Sequence, residues 1–413
     1  MDVTFVRNRN CGGLRQVVRS GAAVLGLLLV FSCSSVPGAT YSTHAFYGQS
    51  FQGQRIVDSY FAHLTESGKT IGYLSLPGQN QLTSIYSPET GHTLLGVSNP
   101  FFYITYKFYQ INNAGNVIWN GYDENFNPVP TFYVNGSITY PNLGAGQFSF
   151  QDLNDNNDIL GIVARGTYGE PGFEVVPFVY SNGVVTDLPK LGNLDLYPIG
   201  INNNGLTSFR SIEVLVDTPE EFVAQFTGMQ IHKIGTSNYT RLSDPEKLGD
   251  ELFYYDPVFT ADGGIYCKVE DVLLDPNDPY NYTLVSKRIV FYNEDGSIKS
   301  VTSLPLDYYS FYANNANDMV ALNSDRQISH WDGIQWTQLH SSNFPRSAKF
   351  VSIDGYNSQG TIIGLVEDLP GLPEYLMVAF YATPVPEPSS VMVLGGLMVL
   401  VGVRVRTSRH RRQ

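Results

Sequence analysis

The stretch PFVYSNGVVTDLPKLGNLDLYPIGINNNGL, from Pro177 to Leu206, contains the pattern that decides the fold. Apolar and polar residues alternate around two turn sequences, Asn182-Gly183 and the INNNG that ends at Gly205. Glycine adopts positive φ freely and asparagine tolerates it, so both sequences favour tight hairpins. The stretch therefore predicts antiparallel β-strands joined by short turns.

Turns of the INNNG type recur along the chain at intervals of about 42 to 58 residues, which is the spacing of β-propeller blades. The seven copies are centred on Gly68, Gly115, Asn157, Gly205, Gly263, Asn317 and Gly360. A second set of turns lies between them, at Gly91, Gly136, Gly183, Gly235, Gly296 and Gly333. Two hairpins per unit make four strands, the content of one blade. We therefore predict an all-β, antiparallel β-propeller, with seven four-stranded blades.

The last unit has room for only one hairpin, with strands near Thr361–Val366 and Leu376–Tyr381. The strand-like segment His44–Leu64 precedes the first turn copy. We expect this N-terminal segment to supply the strand that completes the last blade and closes the ring. Tandem β-sandwiches are the alternative architecture, because Asn-Gly hairpins arise in many antiparallel proteins.

The opening stretch resembles the HAF-type extracellular repeats. The matching residues are Phe178, Asn182-Gly183, Thr186-Asp187-Leu188, Ile201-Asn202 and Gly205, whereas Pro177-Phe178-Val179 stands in place of the HAF triplet. The resemblance implies a surface protein and brings no defined activity with it.

The N-terminal segment predicts export. Four arginines precede the apolar run Ala22–Phe31, an arrangement typical of a leader peptide. Ten apolar residues are too few to span a bilayer. We predict that residues 1–39 are an export signal cleaved near residues 33–39, with lipidation at Cys33 as the alternative processing route.

The C-terminal segment has three parts that suit a temporary membrane anchor. A Pro-Glu-Pro sequence cannot continue a helix, and the thirteen apolar residues Val391–Val403 would cover about 20 Å of a hydrocarbon core about 30 Å thick. The arginines that follow would keep the end of the chain in the cytoplasm. The residues of this signal are Val385, Pro386, Glu387, Pro388, Ser389, Arg404 and Arg406.

Residues 384–413 resemble the PEP-CTERM sorting tail. The resemblance implies recognition by an envelope transpeptidase-like sorting enzyme and a transient stay in the membrane. It also implies delivery to the cell surface or the exopolysaccharide matrix. An ordinary C-terminal membrane helix is the alternative. With both ends assigned, residues 40–383 form the predicted propeller domain.

Composition narrows the classes of partner. The chain is 43% hydrophobic and 15% charged, which excludes intrinsic disorder. Its net charge is −13, and the charge of the body without the two ends is about −20. Nucleic-acid affinity depends on neutralising phosphates with lysine and arginine. We therefore expect no nucleic-acid partner.

One string of residues resembles a cation-binding loop. Asp152, Asn154, Asn156 and Asp158 occupy alternate positions, as the first oxygen ligands of an EF-hand loop do. Asn157 stands where that loop needs glycine, and the bidentate glutamate is missing. Ca²⁺ is thus the only cofactor predicted here, and hydrogen bonding within an Asx turn is the alternative interpretation.

Aromatic residues give the strongest indication of binding, since the chain holds 27 Tyr and 24 Phe. Trp119, Trp331 and Trp336 are candidates for stacking on sugars, because an amphipathic ring offers an apolar face and a hydrogen-bonding edge. Packing between blades is the other use of such residues.

The sequence holds no GxSxG, HExxH, P-loop or GxGxxG motif. We therefore predict a non-catalytic structural or interaction module of the cell surface or exopolysaccharide matrix. A carbohydrate-binding propeller is the first alternative, and a polysaccharide-degrading enzyme is the second.

Overall fold

The computed structural model describes residues 3–7, 14–18 and 40–385. Gaps in the last range lie at 47–48, 79–81, 98–108, 123–127, 168–169, 171, 218–221, 256, 261–262, 276–277, 342–343, 345–347 and 370–375. The described residues form strands, turns and connecting segments, and they contain no helix. In particular, this part of the chain has no helix long and apolar enough to cross a membrane.

Five short strands precede the first blade. β1 (Val3–Arg7) and β2 (Leu14–Val18) pair antiparallel within the segment predicted as the leader. β3 (Thr40–Ala45) follows, and β4 (Ser50–Phe51) and β5 (Gln54–Arg55) form a small hairpin.

The first three blades are four-stranded antiparallel sheets whose strands pair in chain order. Blade 1 contains β6 (Asp58–Leu64), β7 (Thr70–Ser75), β8 (Leu82–Ser87) and β9 (Gly91–Val97). Blade 2 contains β10 (Gln110–Ile111), β11 (Val117–Tyr122), β12 (Pro128–Val134) and β13 (Ser137–Thr139). Blade 3 contains β14 (Gln147–Leu153), β15 (Ile159–Arg165), β16 (Glu174–Ser181) and β17 (Val184–Asp187).

The next three blades follow the same order, and the fifth has one extra short strand. Blade 4 contains β18 (Leu194–Ile201), β19 (Leu206–Asp217), β20 (Phe222–Lys233) and β21 (Tyr239–Arg241). Blade 5 contains β22 (Glu251–Tyr254), β23 (Val258–Phe259), β24 (Ile265–Asp275), β25 (Asp278–Tyr292) and β26 (Ile298–Leu304). Blade 6 contains β27 (Tyr308–Asn315), β28 (Asp318–Asn323), β29 (Ile328–Trp331) and β30 (Trp336–Gln338).

The seventh blade takes strands from both ends of the ring. β32 (Lys349–Tyr356), β33 (Ile362–Glu367) and β34 (Val378–Pro384) pair in order, and β3 pairs with β34 on its free side. The short β31 (His340–Ser341) then pairs with β3. The predicted seven-bladed propeller, closed by an N-terminal strand, is confirmed, and tandem sandwiches are excluded.

One detail of the predicted closure differs from the structure. The strand that closes the ring is Thr40–Ala45, whereas most of the segment expected to do so forms β6, the first strand of blade 1. The reason is register. Phe61 and Leu64 lie next to the first turn copy and pair with β7, so only the strand upstream of the β4–β5 hairpin is left to reach β34.

Apolar packing between neighbouring blades holds the ring together. Among the described residues each junction has its own buried cluster, for example Ile118 and Phe132 of blade 2 against Phe148 and Phe178 of blade 3. The ring of Phe178 meets that of Phe148 edge to face, with 5.2 Å between centroids. Burial of such residues is the main favourable term in folding.

A second set of contacts explains why the asparagine turns repeat. The first strand of each blade is the inner strand, and it ends at a polar residue whose side chain reaches the next blade. At five junctions of the described chain an asparagine Nδ2 donates to a backbone carbonyl of the following blade. The pairs are Asn112 to Asn154 (3.1 Å), Asn154 to Asn202 (3.0 Å), Asn202 to Gly263 (3.3 Å), Asn314 to Asn357 (2.8 Å) and Asn357 to Thr65 (3.0 Å).

The amide oxygen of the same asparagine closes its own loop. Oδ1 of Asn154 accepts from the backbone N–H groups of Asn156 and Asp158, at 3.0 and 2.9 Å. A turn of this kind therefore stabilises both its own hairpin and the neighbouring blade. We call the side of the ring that carries these loops the asparagine face. The inner strands begin on the opposite side.

Candidate functional site

The four residues predicted to bind a cation lie at the asparagine face of blade 3. Oδ2 of Asp152 accepts from the backbone N–H of Ile201 at 2.7 Å, and Asn156 Nδ2 donates to the carbonyl of Asn203 at 2.8 Å. Both oxygens of Asp158 accept hydrogen bonds, one from Ser181 and one from Asn154. These groups therefore make hydrogen bonds within an Asx turn, which is the alternative interpretation of the sequence. They also make hydrogen bonds to the next blade.

The surroundings of Asp152 alter its ionisation. Burial raises the pKa of this carboxyl to about 7, and the hydrogen bond from Ile201 opposes the rise. Within the described ranges, no group of three or more His, Cys, Asp or Glu side chains is placed to hold a metal ion. Calcium binding by this loop stays a prediction.

The three tryptophans lie between blades and do not share one surface. Trp119 belongs to β11 and packs on the cluster between blades 1 and 2. Trp331 and Trp336 pair in blade 6 with centroids 5.5 Å apart, and Trp331 Nε1 donates to the carbonyl of Ala316 at 3.2 Å. Trp336 also packs on Tyr308 at 5.0 Å. All three side chains are half-buried, so inter-blade packing describes their positions better than an open stacking surface does.

The sorting signal lies at the edge of the described chain. Val385 follows β34 directly and is exposed. Pro386, Glu387, Pro388, Ser389, Arg404 and Arg406 lie outside the described residues, as does the predicted lipidation site Cys33.

The structure brings together a different set of aromatic residues. Tyr197, Tyr255 and Tyr309 each stand five positions before the residue that opens the asparagine-type turn of blades 4, 5 and 6; these residues are Asn202, Thr260 and Asn314. Their exposed fractions are 43, 44 and 42%, as expected of equivalent positions. Tyr60 of blade 1 holds the same position and is half-buried. We call the side of the ring on which these residues lie, opposite the asparagine face, the tyrosine face.

Basic side chains lie opposite two of these tyrosines on the second strand. Tyr197 is directly across from Arg210 in the register of β18 and β19. Nζ of Lys268 lies 3.9 Å from the ring centroid of Tyr255, a cation–π geometry. Neighbouring blades 4 and 5 thus repeat the same pair of an exposed tyrosine and a cationic residue.

A buried network of charges supports Tyr255. Its hydroxyl donates to Oε2 of Glu270 at 2.8 Å, and Lys268 Nζ lies 2.9 Å from Oε1 of the same carboxylate. Lys287 Nζ donates to the carbonyl of Tyr308 at 2.7 Å, which ties the network to blade 6. Burial, followed by the hydrogen bond to Glu270 and the charge of that carboxylate, raises the pKa of Tyr255, and burial lowers the pKa of Lys287. The ring orientation of Tyr255 is therefore fixed before any ligand arrives.

Two long hairpins stand beside these tyrosines. β19 and β20 have 12 residues each, and β24 and β25 have 11 and 15, against six in each of the second and third strands of blade 1. The described ends of β19 and β24 lie toward the tyrosine face, because second strands run away from the asparagine loops. The exposed side chains Leu273 and Tyr282 lie near the tip of the blade 5 hairpin.

The exposed tyrosines and their charged neighbours suit the binding of a neutral or polar polymer. Exposed tyrosine rings can stack on the apolar faces of sugars, while hydroxyl, carboxylate and cationic groups can accept or donate to sugar hydroxyls. The high content of tyrosine and phenylalanine indicates binding but does not separate exposed side chains from buried ones. The signal that could have found them is the constant offset of five residues from the residue that opens each asparagine-type turn.

Comparison with known proteins supports the fold alone. The sequence matches no protein family, and no curated protein matches it. An oligogalacturonate lyase from Vibrio parahaemolyticus has a similar structure, with a TM-score of 0.51 and 11% identity over 85% of this chain and 99% of the lyase. The polysaccharide lyase Uly1 gives a TM-score of 0.46 and 9% identity over 84% of this chain and 97% of its own. A putative TolB from Agrobacterium tumefaciens gives a TM-score of 0.35 and 14% identity over 64% of this chain and 87% of its own.

These identities are too low to carry over an activity. The first likeness agrees with the strand topology, so the class of protein that the structure defines is a seven-bladed β-propeller module.

Proposed function

We propose that this propeller is exported and acts as a non-catalytic interaction module of the cell surface or exopolysaccharide matrix, where its tyrosine face binds polysaccharide. The observation that carries the proposal is the set of three equally exposed tyrosines at equivalent positions of consecutive blades. A polymer with repeating units can contact several of them at once, so weak individual contacts add up.

The negative net charge of the chain favours a polymer that is not strongly anionic. Asp195 lies two residues before Tyr197, and its charge, after burial, contributes to the raised pKa of that tyrosine. Glu270 is already hydrogen-bonded through both oxygens, to Tyr255 and Lys268. A carboxylate occupied in this way is poorly placed to act as a general base, which is why we favour binding over catalysis.

Export and sorting belong to the proposal because of the terminal sequences. The leader-like residues 1–39 and the tail resembling PEP-CTERM imply passage through the membrane, a sorting enzyme as partner and release to the surface or matrix. Mass spectrometry of the terminal peptides, from membrane, envelope and medium fractions, tests this part. Loss of the chain beyond Pro386–Ser389 in envelope or medium supports it, and recovery of Arg412 only in membranes contradicts it.

Binding is tested by affinity electrophoresis in gels containing dextran, xylan or polygalacturonate. For a polysaccharide that retards the protein, Tyr197→Ala, Tyr255→Ala and Tyr309→Ala are each expected to weaken binding by about 3- to 10-fold, the loss of one stacking contact. Ile334→Ala is the control, because Ile334 is the exposed apolar residue of a hairpin on the asparagine face.

Two outcomes would contradict the proposal. Equal retardation of the control and the tyrosine variants would remove the tyrosine face from binding. Appearance of shorter oligosaccharides during incubation with the purified protein would show that the module is an enzyme, whether or not the tyrosines contribute.

A further inference from the structure

Both ends of the propeller lie side by side on the asparagine face. β3 and β34 are antiparallel, and Tyr41 pairs with Pro384 in their register. Pro384 also packs on the last asparagine loop: a Cβ added to Gly360 would lie 2.8 Å from its Cγ and 3.7 Å from the hydroxyl of Tyr41. Asn357 of this loop donates across to blade 1, so the loop belongs to the asparagine face.

The predicted membrane attachments lie only a few residues from these ends in the sequence. Five residues, 386–390, separate Val385 from the apolar run Val391–Val403, and six residues, 34–39, separate Cys33 from Thr40. A fully extended chain spans at most about 3.6 Å per residue. The two tethers cover six and seven Cα–Cα steps, from Val385 to Val391 and from Cys33 to Thr40, and therefore reach no more than about 22 and about 25 Å.

The height of the ring exceeds these reaches. The second strands of blades 4 and 5, β19 and β24, run from the asparagine face toward the tyrosine face and have 12 and 11 residues, which at about 3.3 Å per step gives roughly 36 and 33 Å. If the tyrosine face rested on the membrane, the exit points would stand at least that far above it. Neither tether could then bridge the distance.

From this geometry we infer that, while the chain is attached to the membrane, its asparagine face points toward the bilayer and its tyrosine face points away. The inference rests on the proposed export and tail attachment, but it does not depend on which attachment operates, because both leave from the same face. It assigns the two faces separate partners: the lipid surface on one side and the polysaccharide on the other.

The test places fluorescent probes on both faces of the full-length chain bound to vesicles. Ile334→Cys labels the turn between β29 and β30 on the asparagine face, where the side chain is 84% exposed. Leu306→Cys labels the connection between β26 and β27 on the tyrosine face, at 51% exposure. Cys267 is fully buried and does not compete for the label, and Cys11 and Cys33 are replaced by serine so that each variant has one reactive thiol. The vesicles contain phosphatidylcholine and phosphatidylglycerol with a quencher attached to the headgroup.

We expect the probe at Ile334 to be quenched several-fold more than the probe at Leu306. A second pair guards against a variant that fails to fold: Val184→Cys on the asparagine face and Leu273→Cys at the blade 5 hairpin tip should repeat the difference. Co-sedimentation with equal quenching at both probes, or stronger quenching on the tyrosine face, would overturn the orientation and leave the attachment intact. Failure to co-sediment would overturn the attachment, and the orientation with it.

Discussion

Removal of the Asn357 side chain is expected to weaken the junction at which the ring closes. This side chain is fully buried and makes three hydrogen bonds: Nδ2 donates to the carbonyl of Thr65 at 3.0 Å, and Oδ1 accepts from the N–H groups of Gln359 and Thr361 at 3.1 and 2.9 Å. In Asn357→Ala one carbonyl and two N–H groups lose their partner. At about 1 kcal/mol per lost bond, and more where water cannot reach, the free energy of unfolding should fall by about 3 to 5 kcal/mol.

Urea denaturation followed by tryptophan fluorescence measures this loss. With a denaturant dependence of about 3 kcal/mol per molar, the midpoint should move down by about 1 to 1.7 M. Asn203→Ala is the matched control: Asn203 is exposed on the same face and hydrogen-bonds Asp155 of the preceding blade. Water can replace its contacts, so its effect should stay within about 0.5 kcal/mol.

Asn357→Asp separates the two functions of the amide. It keeps an oxygen for the loop and replaces the donor to Thr65 by an acceptor, so it should destabilise the ring although its own loop is satisfied. If Asn357→Ala unfolded at the same urea concentration as Asn203→Ala, the asparagine contacts would be a consequence of packing and not a source of stability.

Two further substitutions test the carboxyl and glycine positions of blade 3. Burial raises the pKa of Asp152 to about 7, so the folded state holds its proton more tightly than the unfolded state does. Wild-type stability should therefore fall as pH rises from about 4 to about 7, and Asp152→Asn should remove up to about 4 kcal/mol of this fall. Unfolding free energies at pH 4 and pH 8 check this, and a difference between the proteins that does not grow with pH would contradict it. Gly161→Ala should cost about 1 to 3 kcal/mol, because a Cβ there would lie 2.5 Å from the carbonyl oxygen of Ser149 and 2.7 Å from the ring of Phe178. Thermal melting compares it with Gly200→Ala, whose nearest neighbour would be 3.2 Å away; equal losses would show that the close approach is not the cause.

Much of the fold could be predicted because the hairpin turns are local. Gly205 and Gly360 have φ of 70° and 78°, and Asn157 has 65°, as the turn sequences require. Such torsions depend on one or two residues, so a single sequence reveals them. The closing strand was harder to place, because pairing between β3 and β34 joins residues more than 330 positions apart and no local signal marks it.

The candidate site could be predicted less well because exposure depends on register. In the sequence Tyr308 and Tyr309 are equivalent neighbours, yet Tyr308 is buried against Trp336 and Tyr309 is exposed. A bulge between Tyr308 and Ser310 in the pairing of β27 with β28 decides which of the two turns outward. A bulge of this kind follows from the packing of whole strands, so composition and alternation alone do not predict it.

The two faces of the ring are under different physical constraints, and this explains where the repeats agree. On the asparagine face, five junctions join an asparagine side chain to a carbonyl of the following blade, and this contact restricts which residue can open the turn. The tyrosine face makes no such chain of contacts among the described residues, and its hairpins differ in length from six residues in β7 to 15 in β25. A face free to vary without loosening the ring is the one on which binding residues can be gained, and the exposed tyrosines lie there.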